Sequence, residues 1–145
     1  MPSSLNLKLL FRLVLTAYSL SLATIMVQVF VLGPPQLPSA ATAYLNWWAQ
    51  QPQSRIEHVL GWFGLAASLT SIVAAIGMAL FAPWARILFV AAIAVLIGSE
   101  PLMDYPVLKA PMEYFFDSIA GALSGAIIAI SYWSGLANEF SRPAP

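Results

Sequence analysis

Residues 114–133 read YFFDSIAGALSGAIIAISYW, 20 positions that carry a single charge, Asp117. A helix rises about 1.5 Å per residue, so this run would reach ~30 Å, the thickness of a bilayer's hydrocarbon core. Its small residues recur at every fourth position, Gly121, Gly125 and Ala129. Such a stripe lets a second backbone come close, and close packing holds helices together where lipid cancels the hydrophobic drive between them. The stretch predicts a membrane-spanning helix with a packing face, around which three more spans are expected to gather.

Composition points the same way. The chain has 145 residues, 60% hydrophobic and 8% charged, with a mean hydropathy of +0.80. Soluble domains carry roughly 25% charged residues. A deficit that large cannot cover a water-facing surface, so lipid is the expected solvent. Four spans of about 20 residues would use roughly 80 positions, which leaves the rest for tails and loops and none for a separate soluble domain. The formal net charge is zero and no basic block exists, so no nucleic-acid partner is expected. The chain has no cysteine and one histidine, His58. Disulfides, thiolate catalysis, iron–sulfur ligation and a histidine metal cluster are therefore not expected, nor is any cofactor. No nucleophile with its base and no facing acid–base pair is legible, so an enzyme is not expected either.

From the N-terminus, a short polar start precedes Lys8, Arg12 and a long apolar run through Leu32. A secretory signal has a basic start too, but its apolar region is usually about 7–15 residues. An uncleaved first span is the expectation, although Pro38-Ser39-Ala40 would pass as a cleavage site. Thr16, Thr24 and Gln28 are spaced by multiples of four and share one face, where they either bond to backbone or a neighbouring helix or line a polar path. Gly33-Pro34-Pro35 and Pro38 end that helix, and Ser39 is a candidate cap for a short helix through Ala49 bearing Tyr44, Trp47 and Trp48. Trp and Tyr favour the headgroup zone, which predicts an interfacial helix; the alternative is that the Trp pair docks a partner.

The second span carries a small stripe of its own, Ala67, Ser71, Ala75 and Ala79, expected to mate with Gly121, Gly125 and Ala129. Phe81-Ala82-Pro83-Trp84-Ala85-Arg86 reads as a tight turn with Pro83 opening the next helix. Spans are expected at about 9–32, 58–80, 84–99 and 113–134 of one transmembrane domain, the third near the lower limit of what can cross. Both tails then share a side with Lys8, Arg12, Arg86 and Arg142, against Arg55 and Lys109 on the other. The positive-inside rule places both termini in the cytoplasm.

Two groups are site candidates. Glu100, Asp104, Glu113 and Asp117 collect at the outer mouth, and Glu113 and Asp117 are four apart on one helix. An acid a turn inside the membrane marks function or a water-filled pocket, so this group reads as a contact for a partner or cation. The other reading is that carboxylates in a first helical turn suit the positive end of the helix dipole. Trp84 and Arg86 read as a cytoplasmic anchor reaching toward headgroup phosphates, with a buried pairing of Arg86 and Glu139 as the alternative.

The turn Phe81-Ala82-Pro83-Trp84-Ala85-Arg86-Ile87-Leu88-Phe89, the stretch from Gly121 to Ser134 and the later Phe140 resemble small four-helix inner-membrane proteins of Proteobacteria. In those proteins a Trp-Ala-Arg turn is followed by a closing helix with a small-residue stripe and an aromatic-Ser exit. The resemblance covers the second half of the chain and implies fold and location, not an activity. Some small polytopic proteins of this size act as immunity proteins against membrane-targeting toxins.

The expected architecture is thus an all-α bundle of four transmembrane helices with a short interfacial helix in the first outer loop. The expected role is a non-catalytic protein of the bacterial inner membrane that works through a membrane-protein partner or self-association, as an accessory subunit or an immunity-type protector. The competing reading is a small transporter or oligomeric channel with a polar path near Gln28 and Asp117.

Overall fold

The computed structural model of the protein describes residues 4–30, 38–50, 55–102 and 111–141. Among them all regular structure is helical: α1 (Ser4–Phe30), α2 (Ser39–Ala49), α3 (Arg55–Ala79), α4 (Pro83–Ser99) and α5 (Pro111–Trp133), with 3-10 turns at Glu100–Leu102 and Ala137–Ser141. Among the described residues three stretches are long and apolar enough to cross a membrane: Asn6–Gln28, Val59–Ala79 and Tyr114–Trp133. α4 is apolar but has 17 residues, or about 26 Å, a little short of a ~30 Å core.

α3 packs most extensively on α4 and α1 on α5, with lesser contacts of α1 on α3 and of α4 on α5. Consecutive long helices run in opposite directions: the start of α1 meets the end of α3 (Arg12 on Ala79), the end of α3 meets the start of α4 (Gly77 on Ala85), and the start of α4 meets the end of α5 (Arg86 on Ser131). The seat of the packing is one heptad-like row per helix: Phe11, Leu15 and Tyr18 on α1, Ala74, Ala75 and Met78 on α3, Ala85 and Phe89 on α4, Ala120 and Ile127 on α5. Leu136 and Phe140, beyond α5, fold back into this core. Most of its bulky members lie toward the α3–α4 turn, while Ile56, Val59, Trp62 and Phe63 at the far end of α3 are exposed.

The turn between α3 and α4 is chemically specific. The Phe81 amide donates to the Met78 carbonyl at 3.0 Å and the Ala82 amide to the Gly77 carbonyl at 2.9 Å, the pair of bonds of a Schellman C-cap. That cap requires a left-handed residue, and here Phe81 supplies it with φ 58°, a conformation that costs a β-carbon-bearing residue about 1–2 kcal/mol. Pro83 follows as the first residue of α4, where its missing N–H would have no intrahelical acceptor anyway. The helices then come so close that a Cβ on Gly77 would stand 2.8 Å from Ala85 Cβ.

Most serine and threonine hydroxyls inside the long helices are bonded to carbonyls of their own helix, as lipid demands of buried polar groups. Thr16 donates to the Arg12 carbonyl and Thr24 to that of Leu20, each at 2.9 Å. The backbone-bonding reading of these two threonines is the one observed. Gln28 Oε1 is shielded and has no hydrogen-bond partner among the described residues.

α1 starts at Ser4, ahead of the span read from about residue 9, and its first turns seat Leu7 against the core and bring Lys8 to an acid. Two expectations are corrected. α2 begins at Ser39, but the Thr42 amide donates to the Pro38 carbonyl at 3.0 Å, so Pro38 rather than Ser39 holds the cap position. The two small stripes do not mate. Ala67, Ser71 and Ala75 are buried, with Ser71 against α1, whereas Gly121, Gly125 and Ala129 are exposed, and a Cβ built on either glycine meets nothing within 4 Å.

Candidate functional site

Two polar constellations occupy opposite ends of the helices. At the end of the α3–α4 turn, the Lys8 ammonium lies 3.1 Å from Glu139 Oε2. Arg12 donates its Nε–H to the Ala79 carbonyl at 3.3 Å, tying α1 to the last turn of α3. Both cations also stand over the Phe81 ring, at 5.6 and 5.8 Å from its centroid. Phe81, Phe11 and Phe140 form an aromatic knot, with Phe81 and Phe140 edge-on at 5.2 Å.

Arg86 joins this knot from α4. Its guanidinium donates to the Ser131 carbonyl at 3.2 Å, and its carbon lies 4.8 Å from the Phe140 ring centroid and 5.0 Å from that of Tyr132. The side chain sought as a headgroup anchor is therefore turned inward onto the end of α5. Trp84 beside it is half exposed, with its ring edge against the Gly77 backbone. A carbonyl left without an amide partner at a helix C-terminus accepts well from a cation, which gives Arg86 a reason to reach there.

At the other end, Asp117 is half-buried on α5 and lines a cavity of about 270 Å³ between α1, α4 and α5. Tyr18 and Ser124 are its other polar neighbours, and Leu22, Ile93 and Ile97 make apolar wall. Ser124 is itself bonded to the Gly121 carbonyl at 2.7 Å, and Tyr18 donates to Ser71 Oγ at 2.9 Å. Gln28 is not among the described residues that line this space. Asp104 and the side chains of Glu100 and Glu113 lie outside the described residues.

The third candidate is α2. Tyr44 and Trp47 stack at 5.8 Å between centroids with 26° between ring planes, and both are exposed, at 46% and 56%. The Trp48 side chain lies outside the described residues. Among the described residues no group of three His, Cys, Asp or Glu side chains is placed to hold a metal ion.

Tyr18 was not singled out as a site residue from sequence, though a signal for it exists. A phenol in the middle of an apolar run needs a partner for its hydroxyl, and the only nearby sources are hydroxyls or carbonyls of a facing helix. Phe81 carried no comparable signal, since its role depends on a left-handed backbone that sequence reading assigns to glycine. No family model, no curated protein and no solved structure matches this chain.

Proposed function

We propose that this chain is a non-catalytic integral protein of a bacterial inner membrane that acts by contact with another membrane protein, as an accessory subunit or an immunity-type protector. In this reading α1, α3, α4 and α5 all cross as a four-helix bundle, both termini are cytoplasmic, and α2 lies along the outer interface. The observation that carries it is the exposed Tyr44–Trp47 stack on α2. Two large aromatic faces presented together are costly to leave in water and are the side chains that dominate binding hot spots. The outward Gly121, Gly125 and Ala129 stripe supports it too, since a bare helix face of that kind favours close approach by a second helix.

Site-specific photocrosslinking in native membranes tests the proposal. A photoreactive residue in place of Trp47 is expected to give one discrete heavier adduct, and the same residue at Leu80 to give lipid adducts only. The variant Tyr44→Ala should reduce the adduct at position 47. Indistinguishable lipid-only labelling at both positions would remove the partner from the account.

A further inference from the structure

We propose that the groove between α1 and α3 seats one acyl chain of an anionic phospholipid, phosphatidylglycerol, whose phosphate is held by the Arg12 guanidinium. The groove is open to the side and has a volume of about 410 Å³. Leu15, Leu20 and Ala23 on α1 and Ile72, Ile76 and Ala79 on α3 form its walls. Leu15 and Ala23 are eight positions apart, so it runs about 12 Å along the helices. Its surface is aliphatic apart from two hydroxyls, and that of Thr16 is turned back onto the Arg12 carbonyl at 2.9 Å. The groove exists because α1 rests on α3 less extensively than on α5, and Leu20 and Ile76 stay exposed beside it. A seat of this kind requires only that α1 and α3 lie in the bilayer, and not the protein partner inferred above.

The occupant is decided by what stands at the end of the groove. Ala79, which lines it, accepts the Nε–H of Arg12 at 3.3 Å. That bond uses one of the five N–H donors of a guanidinium, and the side chain is exposed. The planar fork of arginine matches the oxygens of a phosphate. Lys8 and Arg12 stand together over the Phe81 ring, and Arg86 meets the same aromatic knot through Phe140. Beside these three cations the described residues of this end hold one acid, Glu139. Glu57 lies in the first turn of α3, Glu100 just past α4, and Glu113 and Asp117 in the first two turns of α5, so all four belong to the opposite end. The local excess of positive charge favours a lipid of net negative charge over a zwitterionic one. An apolar helix laid in the trough would bring no anion to Arg12; an anionic lipid fills the trough and meets the cation with one molecule.

Native mass spectrometry of the full chain, released from a neutral detergent, reads retained lipid directly. The probes are dioleoyl-phosphatidylglycerol and dioleoyl-phosphatidylcholine in equal amounts, which differ in charge and not in chains. The expected result is one phosphatidylglycerol per chain, preferred several-fold, and not displaced by excess glycerol 3-phosphate. Arg12→Gln should lower that retention about fivefold, the share of one cation at an anionic headgroup. Ala23→Phe, at an exposed position in the trough, should lower it as far by occupying the chain's seat while leaving Arg12 in place. Equal retention of the two lipids, displacement by glycerol 3-phosphate, or undiminished retention by either variant overturns the proposal. If Arg12→Gln fails to fold, Ala23→Phe and the wild-type preference decide: retained binding overturns, loss supports.

Discussion

The Tyr18 hydroxyl donates to Ser71 Oγ at 2.9 Å, joining α1 to α3 across 53 positions of sequence. Ser71 in turn donates to the Ser68 carbonyl at 2.8 Å, so the two hydroxyls form a short relay ending on backbone. The Tyr18 ring meanwhile rests edge-on against Phe89 of α4, 5.2 Å between centroids. One side chain thus ties α1 to both α3 and α4.

The relay makes its two ends unequal. Tyr18→Phe removes a donor and leaves Ser71 still bonded within its own helix, so the expected loss is near the ~0.6 kcal/mol average for such bonds in membranes. Ser71→Ala strands a phenol that is 1% exposed, which costs about 1–3 kcal/mol. Adding Tyr18→Phe to Ser71→Ala should then recover most of that loss. Unfolding by SDS in mixed micelles, followed by far-UV circular dichroism, gives the three values. Equal losses for the two single variants would show that the hydroxyl contact is incidental to packing.

Gly77 offers a cleaner steric case. An added Cβ at 2.8 Å from Ala85 Cβ and 3.0 Å from the Trp84 ring cannot rotate away, since both β-carbons are fixed to backbone. Gly77→Ala is expected to cost about 1–3 kcal/mol, the usual range for overpacking. Ala85→Gly alone should cost less, roughly 0.5–1 kcal/mol of helix propensity. Combining them should restore stability toward that of Ala85→Gly. Failure of the second change to rescue the first would move the clash to Trp84.

These two contacts mark the limit of what sequence discloses here. Local signals were legible: Pro38 and Ser39 set the start of α2, Pro83 the start of α4, and the length of apolar runs set α1, α3 and α5 to within a few residues at most described ends. Which face of each helix turns inward was not. A helix that is apolar on all sides has no contrast between core and lipid, so small-residue spacing is the remaining cue, and it cannot say whether the face is used within the chain or left outside. Ala67, Ser71 and Ala75 went in; Gly121, Gly125 and Ala129 stayed out. Arg86 escaped for a related reason. A long side chain near a boundary has equal access to headgroups and to a neighbour's carbonyls, and only the position of Ser131 decides.

Phe81 holds a left-handed backbone so that its ring reaches Phe140 and lies beneath Lys8 and Arg12. Phe81→Ala keeps the backbone strain and loses the ring. Phe81→Gly loses the ring but relieves about 1–2 kcal/mol of strain. Glycine is therefore expected to be the milder substitution by roughly that difference, the reverse of the usual order inside a helix. Parallel SDS titrations of the two variants check the order. Alanine proving equal or better would mean that the turn relaxes out of the left-handed region when the ring is gone.

Arg86 should be sensitive to shape as well as charge. It combines a 3.2 Å bond to the Ser131 carbonyl with two ring faces within 5.0 Å. A hydrogen bond from a charged donor contributes about 1.5–3 kcal/mol and a cation over a ring roughly 0.5–2 kcal/mol, and the two are not additive. Arg86→Ala is expected to destabilise by about 2 kcal/mol. Arg86→Lys should recover less than half, because an ammonium cannot lie flat on a ring while bonding in its plane. Full recovery by lysine would reduce the residue to a point charge.

The 3.1 Å contact between Lys8 and Glu139 places the start of α1 and the segment after α5 at one end of the molecule, beside Arg12 and Arg86. If that end is the cytoplasmic one, as the excess of basic residues there predicts, chemical access follows directly. The chain contains no cysteine, so single cysteines introduced at the exposed positions Asn6, Asn138 and Ala43 report without background. In intact cells a membrane-impermeant maleimide is expected to label Ala43→Cys on α2 and to spare Asn6→Cys and Asn138→Cys until the membrane is permeabilised. Labelling of only one of the two end positions in intact cells would contradict the helix order itself. Labelling of both, with Ala43→Cys protected, would leave the fold intact and invert its orientation.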